Sequence, residues 1–146
     1  MGFGVSMKQK WDWVLDRTQK KMEKWSTSML SLAGRVLIIN HFFIPYVLYF
    51  LSCWRPPEAS LRQFTNLCRN FLWSGDGDRY KIPKVSWEIC TLHKDKGGLG
   101  ILNVTELANR LNSKLMVRSL LLPTEDWAIL IHRNINQARQ IGRAHV

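Results

Sequence analysis

Between Lys8 and Met29 the residues Trp11, Leu15, Thr18, Met22, Trp25 and Met29 fall at alternating steps of four and three. That spacing predicts a first helix with a narrow seam of coiled-coil type, its tryptophans in the core and its apolar stripe facing another helix. Lys10, Arg17, Lys21 and Lys24 share one sector about a quarter-turn away, at about 3.6 residues per turn. Asp12, Asp16 and Glu23 lie elsewhere on the helix or pair locally, so the basic groups line up instead of alternating with acids.

Val36 to Trp54 is apolar for nearly the roughly 20 residues that span a bilayer. Asn40, His41 and Pro45 interrupt it, and these fit a water-soluble core better than lipid, where each polar group costs about 2 kcal/mol or more. Membrane insertion is therefore disfavoured, and Pro45 is expected to kink the segment or divide it in two. Pro56 and Pro57 stop it, and Pro57 with Glu58 opens a helix that reaches about Trp73. Leu67, Phe71 and Leu72 follow the helical period there, Arg62 and Arg69 share a flank, and Gly75 is placed as the C-terminal cap.

After the polar turn Asp76-Gly77-Asp78, Ser86 is expected to cap a short helix carrying Trp87, Glu88 and Cys90. Gly97, Gly98 and Gly100 mark a flexible turn. Asn103 or Thr105 caps a helix running to about Leu122, with Val104, Leu111, Leu115 and Leu122 as its buried stripe. Arg110, Lys114 and Arg118 climb the adjacent ridge at four-residue intervals. A last helix is expected from Glu125 to Arg133, and the tail after Ile141 carries no pattern. The fold class is all-α: one helical domain of five or six helices, with a short irregular insertion between Gly75 and Ile101. Residues 1–122 form its body, and 123–146 a terminal helix and irregular tail.

Charge adds the next constraint: 21 Lys and Arg against 11 Asp and Glu give +10. Such an excess points to an anionic partner, either nucleic acid or an acidic membrane surface. Three widely spaced cysteines, Cys53, Cys68 and Cys90, argue against a disulfide framework and suit an intracellular, reducing compartment; all three read as core thiols. Met1-Gly2 with Ser6 matches a short lipidation pattern, with Lys8 and Lys10 as a basic second signal. Trp54, Trp73 and Trp87 lie beside Arg55, Arg69 and Lys84, an interleaving that can stack on unpaired bases, while packing is the plainer role for each.

No motif specifies a reaction. Gly97-Gly98-Leu99-Gly100 lacks the Lys-Ser/Thr and the strand-turn-helix frame of a phosphate loop, so it reads as a turn. Cys90 and His93 have metal-pair spacing without a second close pair. No histidine has a nucleophile context, and Asp76 with Asp78 is a surface turn, not a carboxylate cluster. No catalytic residue, metal or cofactor is assigned.

WSTSMLSLAGRVLIIN from Trp25, RNFLWSG from Arg69, VSWEIC from Val85 and GGLG from Gly97 resemble, in order and spacing, the region downstream of the polymerase core in plant-type non-LTR (LINE-like) retrotransposon reverse transcriptases. The similarity covers roughly Gly2 to Leu122. It implies a helical thumb-like or connecting segment that helps hold a template-primer of RNA or DNA and packs beside the polymerase palm of its parent protein. The paired catalytic aspartates, the fingers and palm, and a downstream zinc or nuclease module are absent from the sequence. The resemblance therefore implies a piece of an RNA-directed DNA polymerase without its catalytic core, not an enzyme by itself.

The residues expected to grip nucleic acid are Lys10, Arg17, Lys21, Lys24, Arg62, Arg69, Arg110, Lys114 and Arg118. Other classes stay open: a membrane-associated protein using Val36 to Trp54 or a lipidated Gly2, a module that pairs through the Trp11–Met29 seam, or a mobile-element remnant with no function.

Overall fold

A computed structural model describes residues 4–25, 30–74 and 82–144, with side chains as far as 137. The Gly2 lipidation pattern, Met29, Gly75 and the Asp76–Asp78 turn fall outside them. α1 (Met7–Trp25) opens on a reciprocal cap: the Ser6 N–H donates to Gln9 Oε1 at 2.9 Å, and the Gln9 N–H donates to Ser6 Oγ at 3.2 Å. Trp11, Val14, Leu15, Thr18 and Met22 are buried, and the Thr18 hydroxyl donates to the Val14 carbonyl at 2.8 Å. Trp25, expected in the core, is exposed. It is the last residue of the helix, and among the described residues its ring meets the exposed Phe42 at 4.8 Å, so the buried seam reaches Met22.

Ser31 Oγ accepts the Gly34 N–H and starts α2 (Leu32–Ile38), which passes through a π-turn (Ile39–Phe43) into α3 (Ile44–Cys53). The chain stays helical through Pro45 and is not divided there. The Ile44 N–H reaches back five residues to the Ile39 carbonyl, a widened turn placed just before the ring that removes the next donor. By length and composition Leu32–Cys53 is apolar enough to cross a membrane, yet Val36, Ile39, Phe43, Ile44, Val47 and Leu51 are buried in this fold.

Pro57 precedes α4 (Glu58–Trp73), whose Leu61, Phe64, Cys68, Phe71 and Leu72 form the face on which α1 and α2 pack. Arg35, 6% exposed, crosses to the end of α4. Its Nη1 donates to the Phe71 carbonyl at 3.1 Å and to Ser74 Oγ at 2.9 Å, and its Nε donates to the Leu30 carbonyl at 3.3 Å. A guanidinium at a helix C-terminus satisfies a carbonyl the helix leaves open and opposes the negative end of its dipole.

Ser86 stands at the N-cap of α5 (Trp87–Cys90), though its side chain makes no capping bond to the backbone. A 3-10 turn (Lys94–Lys96) follows, and the glycine segment that sequence reads as flexible is tied by backbone bonds. Gly100 N–H donates to Leu92 O at 3.0 Å, and Ile101 N–H to Cys90 O at 3.2 Å. Gly97 and Gly100 adopt φ of 81° and 70°, and a Cβ on Gly98 would collide with the Leu92 carbonyl. Cys68 and Cys90 are buried, whereas Cys53, expected in the core, is exposed at the end of α3.

Asn103 Oδ1 accepts the Glu106 N–H and caps α6 (Val104–Leu121). Two compact units divide within this helix, Met1–Ala108 and Asn109–Val146. Val104 and Ala108 are buried in the first unit; Leu111 is half-buried and Leu115 and Leu122 are exposed, contrary to the expected stripe. The reason is local: Ser119 and Ala128 are the buried positions that the second unit provides among its described residues, and they are small. α7 (Asp126–Ala144) runs well past Arg133, because no proline follows and Gln, Ala and Arg favour helix. Among the described residues there is no strand, and with α2, the π-turn and α3 counted as one helix the all-α architecture has six.

Candidate nucleic-acid interface

Lys10, Trp13, Arg17, Lys21 and Lys24 lie within about 80° of arc on α1, at about 100° per residue. The acids of α1 fall outside that arc, and Asp16 is engaged by Lys20 at 2.8 Å. Behind the basic row stands an aromatic cluster that α3 supplies through Tyr46, Tyr49 and Phe50, at the i, i+3, i+4 spacing of one helix face, and that Trp54 closes just beyond it. Phe50 is the hub: it meets Trp13, Tyr46 and Tyr49 edge-to-face at 6.1, 5.3 and 5.3 Å and stacks on Trp54 at 5.7 Å.

Three cations of α1 rest on rings of this cluster. Lys10 Nζ lies 5.0 Å from the Trp54 ring centroid, the Arg17 guanidinium 4.6 Å from that of Trp13, and Lys21 Nζ 4.0 Å from that of Tyr46. Each ring's negative face holds its cation in place at a cost in freedom already met before any ligand arrives. Lys24 is exposed.

The predicted cations of α4 lie apart from this row in sequence and element. Arg62 is exposed on α4. Arg69 is half-buried, and its Nε is buried without a hydrogen-bond partner among the described residues. It lines a separate open cleft of about 360 Å³ with Lys84, Ser86, Trp87 and Glu88. The Glu88 backbone N–H, the Ser86 side chain and the nearby Arg69 charge all favour its carboxylate and hold it below the usual range. Burial pushes the Cys90 thiol up, partly offset by the same Arg69. Arg110, Lys114 and Arg118 belong to the second unit, where Arg118 lies 5.8 Å from the Trp127 ring.

The Cys90–His93 spacing does not converge on a metal site. Cys90 is buried, while His93 is exposed and turned to Asp95, with Nδ1 to Oδ2 at 2.9 Å. Among the described residues no three of His, Cys, Asp and Glu come together. The basic row is visible in sequence, and Trp13 is within it by spacing. Its partners Tyr46, Tyr49 and Phe50 are not, because a run read only as apolar core conceals which of its rings turn outward.

Over 120 residues, 82% of this chain, the sequence is 26% identical to an Arabidopsis thaliana protein named as a ribonuclease H protein. Over 125 residues, 84% of the chain, it is 25% identical to an uncharacterized 149 kDa protein of transposon TX1 from Xenopus laevis. The chain spans 19% and 9% of those two proteins. No family model matches, and no solved structure does.

Proposed function

We propose that this chain is a segment of a mobile-element protein, from the region that follows the polymerase core of a LINE-like reverse transcriptase, and that it binds RNA or DNA without sequence preference. Similarity over most of the chain to a transposon protein and to one named for ribonuclease H supports the origin. The role in binding is carried by one observation: Lys10, Arg17 and Lys21 stand in a row on α1, each seated on a ring. Arg62, Arg69 and the Arg110–Arg118 ridge add phosphate contacts. Polymerisation or hydrolysis through two metals needs clustered carboxylates, which this reading assigns to other parts of the parent protein.

Row and phosphates attract each other mainly by releasing condensed counterions, so log affinity falls linearly with log salt, by about 0.9 per phosphate on duplex DNA and about 0.7 on single strands. Fluorescence anisotropy of the full chain with a labelled oligonucleotide, titrated at salt from about 50 to about 200 mM, tests this. The expected result is a steep slope that flattens by about two phosphates in the triple variant Lys10→Gln, Arg17→Gln, Lys21→Gln. Affinity indifferent to salt overturns the reading.

A further inference from the structure

Resting on that reading, we infer that the α1–α3 face is built for unpaired strands: Lys10 and Lys21 take phosphates of one strand while Tyr49, and the Arg17 guanidinium seated on Trp13, take bases. A row of cations alone would serve duplex and single strand alike. Here Trp13 is 48% and Tyr49 67% exposed, and both are held by Phe50 through ring edges. Exposed apolar side chains also occur elsewhere on this chain, Phe42 and Leu120 among them, so it is the place of these two rings beside the cation row that singles them out.

Tyr49 carries no cation on its ring among the described residues, so its faces are not occupied by a protein charge. Trp13 already bears the Arg17 guanidinium, whose planar group can itself lie against a base. From Lys10 to Lys21 the row extends about 16 Å along α1, at about 1.5 Å per residue. That is on the order of five phosphate steps at the rise of about 3.4 Å of one strand in a duplex, and fewer on an extended single strand. A duplex would meet the three cations with its backbone and leave Trp13 and Tyr49 wet, because its bases are stacked on one another. An unpaired strand satisfies both sets of groups together, and base-on-ring stacking tolerates any sequence.

The charge of the face selects the occupant. No acid of α1 enters the sector, which disfavours a basic or neutral helix as partner. An acidic lipid surface shares the negative charge, so it serves as the opposing arm of the test. The full chain is titrated into fluorescein-labelled twelve-nucleotide single strands and the matched duplex at one salt concentration, and in parallel into vesicles of phosphatidylcholine with phosphatidylserine. We expect the single strand to bind about tenfold more tightly than the duplex. Tyr49→Leu should weaken single-strand binding about fivefold or more, with duplex affinity and the salt slope unchanged. Trp13→Leu should act in the same direction, and Tyr49, being largely exposed, can be replaced without touching the core.

Equal affinity for both forms, with Tyr49→Leu silent, overturns the inference and leaves phosphate binding standing. Binding to acidic vesicles with none to either oligonucleotide overturns both.

Discussion

The Asn40 carboxamide donates from Nδ2 to the Gly100 carbonyl at 2.8 Å, and its Oδ1 accepts the Leu102 N–H at 3.0 Å. Asn40 stands in the π-turn between α2 and α3, so one side chain ties the widened helix to the backbone that leads into α6. In sequence the same residue reads as an interruption of an apolar run. Its polarity is used for two backbone groups 60 and 62 residues away.

Removing that side chain leaves a donor and an acceptor with water as their alternative, because the site is only part-buried. Asn40→Ala should lower stability by about 2 kcal/mol, the sum of two neutral bonds. Asn40→Asp places a carboxylate against the Gly100 carbonyl and should cost at least as much at neutral pH. Part of that loss should return near pH 3, where the protonated acid can donate. Urea denaturation of the three proteins at both pH values measures the difference, and equal midpoints for wild type and Asn40→Ala would exclude the clamp.

The glycine turn separates two kinds of constraint. Gly97 has a left-handed φ of 81° with open space around it, so Gly97→Ala should cost about 1 kcal/mol and Gly97→Asn less. Gly98 has no such angle, but a Cβ there meets the Leu92 carbonyl carbon and oxygen, which are backbone and give way only if the turn moves. Gly98→Ala should therefore be the more damaging change, by about 3 kcal/mol or more. Thermal unfolding ranks them, and the reverse order would show that the turn is looser than described.

Helices were legible from sequence where one face had to be apolar and an end had chemistry: the α1 stripe, the Pro57 and Asn103 starts, and the Pro123 stop all correspond to observed features. Periodicity says which side of a helix is apolar but not whether a partner covers it. Trp25, Leu115 and Leu122 fit a stripe and are exposed, since the first lies at a helix end and the others in a unit with little to bury. The Lys10–Lys21 row was legible on α1. Its rings were not, because they come from α3 and become neighbours only when the helices pack. Arg35 and Asn40 were invisible for the same reason: their partners are far along the chain.

Arg35 should not tolerate exchange for another cation. Its Nη1 spans the Phe71 carbonyl and Ser74 Oγ while Nε reaches Leu30, a fork that a lysine ammonium cannot reproduce. Arg35→Lys should lose about 2 kcal/mol and Arg35→Ala more, the charge-assisted bonds being the stronger class. Hydrogen exchange should quicken in the last turn of α4 in both variants before it changes in α1, and protection left intact there would place the stabilising role elsewhere.

The three cysteines should separate by chemistry. Cys53 is exposed and should react with a thiol reagent in the folded protein, whereas Cys68 and Cys90 should react only on unfolding. Burial pushes the Cys68 thiol far above its ordinary value, so the folded chain keeps that proton at pH values where the unfolded chain has lost it. A raised folded value means that the contribution is complete below the unfolded pKa, about 8.5, and declines as pH rises past it toward the folded value. Stability of the wild type should accordingly fall between about pH 8.5 and pH 10, with a slope of up to about 1.4 kcal/mol per pH unit from this group. Cys68→Ala removes the titrating thiol and should show a shallower decline despite a lower starting stability. Parallel slopes in the two proteins would assign the alkaline loss to other groups.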